Sequence, residues 1–248
     1  MRLANRVGLM ALCLALPLLL RATYSRDEPL LRIPSNVAWT EETISTVNSG
    51  QPLRGLILAR RCEHCHGQEG FSSDAAVPNL AGMDRLSFWK QLEDFRTGKR
   101  SSLLMASVAQ LLATRDEADL AAYYSMLPTS PDSLDVRSFP QKAEPATFGS
   151  AARLVTLGDG NRGIPPCQAC HGPVAFVRGA PSLASQNRDY IKSQLDAFAG
   201  STRANDINMP MRAIARDLTQ QERDAISAYY GAGLGTLPST GIPVLRLR

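Results

Sequence analysis

One five-residue pattern occurs twice in this chain, as Cys62-Glu63-His64-Cys65-His66 and as Cys167-Gln168-Ala169-Cys170-His171. Its two copies contain four of the five cysteines and all three histidines among 248 residues, His64 standing at a variable position of the pattern. Two thiols three positions apart stand about one helical turn from each other, and a histidine follows the second directly. That spacing suits two thioether bonds to the vinyl groups on one porphyrin edge, with the adjacent imidazole held against the iron. Each copy therefore predicts a covalently attached haem c, with Cys62 and Cys65 or Cys167 and Cys170 as anchors and His66 or His171 as proximal ligand.

Other uses of paired cysteines fit less well. A zinc site made from both pairs wants roughly 15–20 residues between them, whereas 101 residues separate Cys65 from Cys167. A thioredoxin-type pair needs a βαβ context that this sequence lacks. Structural disulfides are the remaining alternative. His64 lies between the first two cysteines, but its neighbour His66 has the ligand position, so His64 reads as a surface residue.

Around the motifs the second half repeats the first at an offset of 103 to 106 residues. Pro78-Asn79-Leu80-Ala81 falls on Pro181-Ser182-Leu183-Ala184, and Gln91, Leu92 and Phe95 fall on Gln194, Leu195 and Phe198. Further on, Met105, Ala109 and Leu112 meet Met211, Ala215 and Leu218, and Tyr123-Tyr124 meets Tyr229-Tyr230. The chain is a tandem duplication. The expected organisation is a leader over 1–22, an N-terminal extension over 23–49, a first domain over 50–128, a Pro-marked linker over 129–147, and a second domain with a tail over 148–248.

The fold class is all-α, since no stretch alternates with period two for long enough to argue a sheet. Phe88, Leu92 and Phe95 stripe one helix, and Ile191, Leu195 and Phe198 stripe its counterpart. Thr114-x-x-Glu117 and Thr219-x-x-Glu222 read as capping boxes for the closing helices, which carry Leu120 with Tyr124 and Ile226 with Tyr230. Leu53 to His64 reads as a helix running into the first motif, and Thr40 to Val47 as a surface helix, with docking of a partner as the alternative role for the extension. Aromatic residues make up 6% of the chain, lean for two cores of about 80 residues, which a covalently held porphyrin would complete.

Each haem iron needs a sixth ligand, and the repeats hold no spare histidine for it. Met105 follows His66 by 39 residues and Met211 follows His171 by 40, with the same residues downstream of each. Met209, at 38 residues, is the competitor of Met211. Met83 and Met126 have no counterpart in the other repeat and read as core or loop residues. Met/His ligation raises the reduction potential and fills both axial positions, so the expectation is electron transfer rather than catalysis.

Arg2 and Arg6 precede an apolar run from Val7 to Leu20, which reads as a secretory signal. An uncleaved anchor is the weaker reading, because fourteen residues are short for a bilayer. Cys13 then belongs to the discarded leader. Without residues 1–22 the chain keeps 24 basic and 23 acidic side chains, which removes the electrostatic support for nucleic acid as a partner. Arg60 and Arg61 beside the first motif are either steering charges for an acidic redox partner or a solvated helix face.

Together, the two motifs and the stretches Gly163-Ile164-Pro165-Pro166 and Arg203-Ala204-Asn205-Asp206 ahead of Met211 closely resemble the di-haem cytochrome c4 family over residues 50 to about 235. The resemblance implies two class I cytochrome c domains packed about a pseudo-twofold axis, with two covalent haem c groups. It also implies that the carbonyls of Pro78 and Pro181 accept hydrogen bonds from the proximal histidines. The implied function is periplasmic transfer of single electrons between redox proteins, such as a dehydrogenase donor and a membrane-bound terminal oxidase, with no small-molecule substrate. The alternatives are the haem-bearing subunit of a periplasmic dehydrogenase oxidising sulfide, an alcohol or an aldehyde, and a haem enzyme with an open site. The first Gly-to-Met loop is four residues shorter than the second, a departure from the family pattern.

Overall fold

A computed structural model describes residues 34–129, 149–172, 177–184 and 186–232. The expected leader, nearly all of the expected linker and the C-terminal tail lie outside the described residues. Eleven α-helices and no named strand occur among those described: α1 (Glu41–Asn48), α2 (Pro52–Ala59), α3 (Glu63–His66), α4 (Arg85–Arg96), α5 (Leu103–Gln110), α6 (Thr114–Met126), α7 (Gly149–Thr156), α8 (Cys167–His171), α9 (Arg188–Ala199), α10 (Pro210–Asp217) and α11 (Gln220–Gly231). The duplication is visible in their packing. In the first repeat α6 packs on α2 and α4, and α4 on α5; in the second, α11 packs on α7 and α9, and α9 on α10. Among the described helices only α1 has no counterpart.

Local chemistry sets the helix starts. Asp84 accepts from the Ser87 amide at 2.9 Å to open α4, and Pro52 occupies the first turn of α2, where a missing N–H is harmless. Thr219 and Glu222 form the expected box, with Thr219 Oγ1 accepting from the Glu222 amide at 3.2 Å and Glu222 returning the bond at 2.8 Å. The box expected at Thr114 does not form. There the cap is Ala113, whose amide is taken by Asp116 at 3.1 Å, and the one-residue shift turns Glu117 into the interior, where it is fully buried. The expected helix from Leu53 to His64 is interrupted between Ala59 and Glu63, so the first motif sits on its own short turn.

The apolar stripes are buried as their periodicity requires. Phe88, Leu92, Phe95, Leu120 and Tyr124 lie in the first core, with Phe88 and Tyr124 stacked at 5.2 Å. Ile191, Leu195, Ile226 and Tyr230 lie in the second, which is mainly aliphatic. The extension belongs to the first core: Val47 is completely buried, and Val37 and Trp39 pack against the same cluster. Ser35 Oγ donates to Asp94 at 2.6 Å. Trp39 also reaches the second repeat at Gly179, where φ is +80° and an added Cβ would stand 2.7 Å from the indole ring. Glycine there allows both the backbone turn and the close approach.

Candidate functional site

Both motifs open onto one continuous cavity of about 860 Å³, large within the range of roughly 300–1,000 Å³ for ligand pockets. Cys62, Cys65 and His66 line one part, and Cys167, Cys170 and His171 another. Between them stand apolar side chains of α4 and α9, including Leu92, Phe95, Leu195 and Phe198. The first motif is held by α3 and followed by Gly67 at φ +75°, whose added Cβ would collide with the Phe71 carbonyl oxygen at 1.8 Å. A side chain at that position would push the chain away from His66.

The two imidazoles are equivalent. His66 Nδ1 lies 2.9 Å from the Pro78 carbonyl oxygen, and His171 Nδ1 lies 2.7 Å from that of Pro181. A carbonyl can only accept, so Nδ1 donates and Nε2 keeps the lone pair that a metal needs. Burial lowers the proton affinity of both rings, against the opposing effect of the carbonyl bond. Each is thereby kept neutral and ready to ligate.

No disulfide joins the four motif cysteines. Burial pushes the Cys62 thiol up, and that of Cys167 to about 11. No group of three or more metal-ligating side chains occurs among the described residues. The zinc and thioredoxin alternatives find no support. Against each first cysteine lies a tyrosine, Tyr124 or Tyr230, with its hydroxyl buried. Burial drives both phenols well above their usual range.

The methionines separate clearly. Met105 on α5 and Met211 on α10 are half-buried and line the cavity. Met209 caps α10 at φ +65°, is 49% exposed and does not line it. Met83 also lines the cavity, while Met126 is exposed. His64, Arg60 and Arg61 are exposed, and of these only Arg61 borders the cavity.

Sequence reasoning missed a polar cluster in the cavity wall where the two repeats meet. Arg100 Nη1 donates to Gln91 at 2.8 Å, and its Nη2 donates to Tyr190 at 2.7 Å and Gln194 at 2.9 Å. Arg203 donates to Gln194 at 2.8 Å and Gln91 at 3.0 Å. Arg100 and Arg203 stand 103 residues apart, the offset of the duplication, so the signal was present in the repeat alignment. Beside them a buried ion pair, Lys90 Nζ to Asp94 at 2.5 Å, also binds the Asn205 carbonyl at 2.6 Å.

A cavity with two Cys-x-x-Cys-His turns, neutral imidazoles and largely apolar walls fits haem c at both motifs, and defines the class as a two-centre c-type cytochrome. No family model matches the sequence. Individual relatives do. The thiosulfate dehydrogenase electron acceptor of Stutzerimonas stutzeri (strain A1501) is 38% identical over 175 residues, covering 69% of this chain and 78% of the relative. Cytochrome c4 of Thiocapsa roseopersicina is 36% identical over 185 residues, covering 73% and 91%. The crystal structure of reduced recombinant cytochrome c4 from Pseudomonas stutzeri superposes with a TM-score of 0.64 at 29% identity, covering 74% of this chain and 98% of that one. The chain belongs to the di-haem cytochrome c4 family. It is a di-haem electron-transfer cytochrome of two class I cytochrome c domains, with two covalently bound haem c groups.

Proposed function

We propose that this chain relays single electrons between redox protein partners in the periplasm, without turning over a substrate of its own. In this reading residues 1–22 are a signal for export, 50–128 and 148–248 are the haem-bearing halves, and 129–147 links them. Cys62 and Cys65 anchor one haem and Cys167 and Cys170 the other. His66 with Met105, and His171 with Met211, hold the irons. The observation that carries the proposal is the matched placement of a neutral histidine and a half-buried methionine in the wall of one cavity, once per repeat.

When bound, each haem supplies a one-electron couple. The rest is done by the chain. Pro78 and Pro181 fix the imidazole tautomers, which strengthens His66 and His171 as ligands. The thioethers of Met105 and Met211 would hold the bound iron, favouring its reduced form and excluding small molecules from it. The apolar walls exclude water and so limit the rearrangement that accompanies each change of charge. Intact mass after denaturation should give the polypeptide plus two haems, whereas haem released by acid acetone would sink the assignment of the cysteines.

A second reading, service as the electron-accepting subunit of a dehydrogenase, is favoured by two observations. One relative carries the name of thiosulfate dehydrogenase electron acceptor. In addition, α5, the helix that bears Met105, exposes Leu103 (94%), and its C-cap residue Leu111 is 81% exposed, apolar surface of the kind that marks a protein contact. Purification of the native protein at low ionic strength decides between the readings: a stoichiometric dehydrogenase in the same fraction supports the subunit, and a single polypeptide supports the mobile carrier.

A further inference from the structure

Pro78 and Pro181 hold the two proximal imidazoles, His66 donating to one carbonyl at 2.9 Å and His171 to the other at 2.7 Å. Neither proline sits in a helix, so each carbonyl is only as fixed as the loop that carries it. A loop stays in place when other groups take up its amides and carbonyls or pack against its backbone.

The Pro78 loop is held from the second repeat, by hydrogen bonds. Asn187 Nδ2 donates to the carbonyls of Asp74 at 3.1 Å and of Val77 at 2.7 Å. The Gln186 side chain pairs with the Asn79 backbone, donating to its carbonyl at 3.0 Å and accepting from its amide at 2.8 Å. The Tyr190 amide donates to the Ala75 carbonyl at 3.0 Å. Val77 and Asn79 are the chain neighbours of Pro78, so the backbone on either side of it is fixed from across the repeat boundary.

The Pro181 loop is held from the opposite direction, by packing. Val177 to Ala180 form a tight turn just before Pro181, with the Ala180 amide donating to the Val177 carbonyl at 3.1 Å and Gly179 at φ +80°. Trp39 of the extension lies against this glycine: a Cβ there would stand 2.7 Å from the indole ring and 3.3 Å from the stem of Lys90. The segment that presents Trp39 is pinned at both ends. Ser35 Oγ donates to Asp94 at 2.6 Å and accepts from the Val37 amide at 3.2 Å, and Thr40 caps α1 by accepting from the Thr43 amide at 3.1 Å. Between those ends Ser35, Val37 and Trp39 are half-buried while Asn36 and Ala38 are exposed, the alternation of an extended chain.

The geometry points to reciprocal bracing: Gln186 and Asn187 of the second repeat are positioning residues for His66, and Trp39 of the extension is a positioning residue for His171. The inference rests on the haem assignment above and adds that each imidazole–carbonyl bond depends on side chains of the opposite half. A hydrogen bond at Nδ1 sets how strongly an imidazole donates to a metal, so displacement of one half is felt at the iron of the other. The extension thereby serves the second centre as well as the first core.

Exchange of the two histidine Nδ1 protons tests this, followed by nuclear magnetic resonance in the fully reduced holoprotein with labelled histidine nitrogen, after intact mass has shown two haems attached. Trp39→Ala should speed exchange at His171 by about tenfold or more, because lost packing lowers the cost of local opening, and should change His66 far less. Asn187→Ala and Gln186→Ala should do the reverse. Trp39→Phe, which keeps a ring against Gly179, should restore most of the native rate. In each variant the potential of the haem whose imidazole is loosened should rise, since a slackened Nδ1 bond leaves a weaker ligand to ferric iron. A larger acceleration at His66 in Trp39→Ala, or at His171 in Asn187→Ala, would overturn the bracing, as would unchanged rates at both. Equal acceleration of both protons in every variant would mean a general loosening of the fold and would also contradict it. Absence of haem from the native protein would instead remove the functional reading on which the inference stands.

Discussion

The two repeats carry the same site and stabilise it in different ways. Helices α4 and α9 each present a lysine and an aspartate four residues apart, one position out of register in the repeat alignment. In the first repeat Lys90 and Asp94 are 4% and 0% exposed, and in the second Lys192 and Asp196 are 36% and 38% exposed. The closing helices differ likewise: Glu117 is fully buried against Arg96, while Glu222 lies at the surface with Arg162. The first core is also rich in aromatic side chains and covered by the extension, and the second is neither. A duplicated fold therefore preserves what the cofactor requires and lets the remaining interior drift, the first half becoming the buried and charged partner in the boundary.

The sharpest way to break this comparison is to remove one haem at a time. Cys170→Ala should leave one covalent haem and a second repeat that limited proteolysis digests readily, because its aliphatic core depends on the porphyrin. Cys65→Ala should also leave one haem but a more resistant first repeat. Equal digestion of the two would show that the aromatic core and the extension add nothing.

Next in size is the loss of an axial thioether. Met211→Ala and Met105→Ala should each open one haem and lower its potential markedly, read as a new high-spin band and a shifted redox wave. Met209→Ala should leave the spectrum unchanged, in keeping with its exposure. If Met209→Ala gives the open haem, the spacing argument fails for the second repeat alone.

The lysine pairs come third. Lys90→Ala leaves the Asp94 carboxylate buried without its cation and should destabilise the protein by about 3–5 kcal/mol in chemical denaturation. Lys192→Ala removes a solvated pair and should fall within the error of the same measurement. Similar values for the two would mean that Asp94 is not isolated from water.

The smallest effect concerns pH and has opposite signs in the two halves. Burial raises the Glu117 carboxyl from 4.5 to about 8 against the pull of Arg96. The folded state then keeps a proton that the unfolded chain releases, so this contribution is full below pH 4.5 and is lost as pH rises through about 8. Glu222 is lowered from 4.5 to about 2 by its bonds to Arg162 and to Thr219. Its contribution is present above pH 4.5 and is lost as pH falls toward 2. Hydrogen exchange followed across this range in Glu117→Gln and Glu222→Gln should remove the alkaline slope from α6 and the acid slope from α11, respectively.

These differences mark the limit of what could be read from the chain. The motifs, the repeat, the apolar stripes and the register of Met105 with Met211 are periodic or paired features, and periodicity survives without coordinates. Glu117 was misread because Thr114-x-x-Glu117 has the residues of a capping box, and only the backbone reveals the one-residue shift that turns it inward. Lys90 and Asp94 look like any exposed pair on a helix. Their burial follows from Trp39, Gly179 and Asn205, which are distant in sequence. Arg100 and Arg203 share the repeat offset, yet their meeting with Gln91, Tyr190 and Gln194 across the repeat boundary shows only in the fold.

Carbon monoxide added to the fully reduced native protein tests the central claim most directly. If His66 with Met105 and His171 with Met211 close both irons, the absorption spectrum should not change, as suits a relay of electrons. Binding of carbon monoxide at either haem in the native state would contradict the ligand assignment for that repeat and favour a catalytic centre in its place.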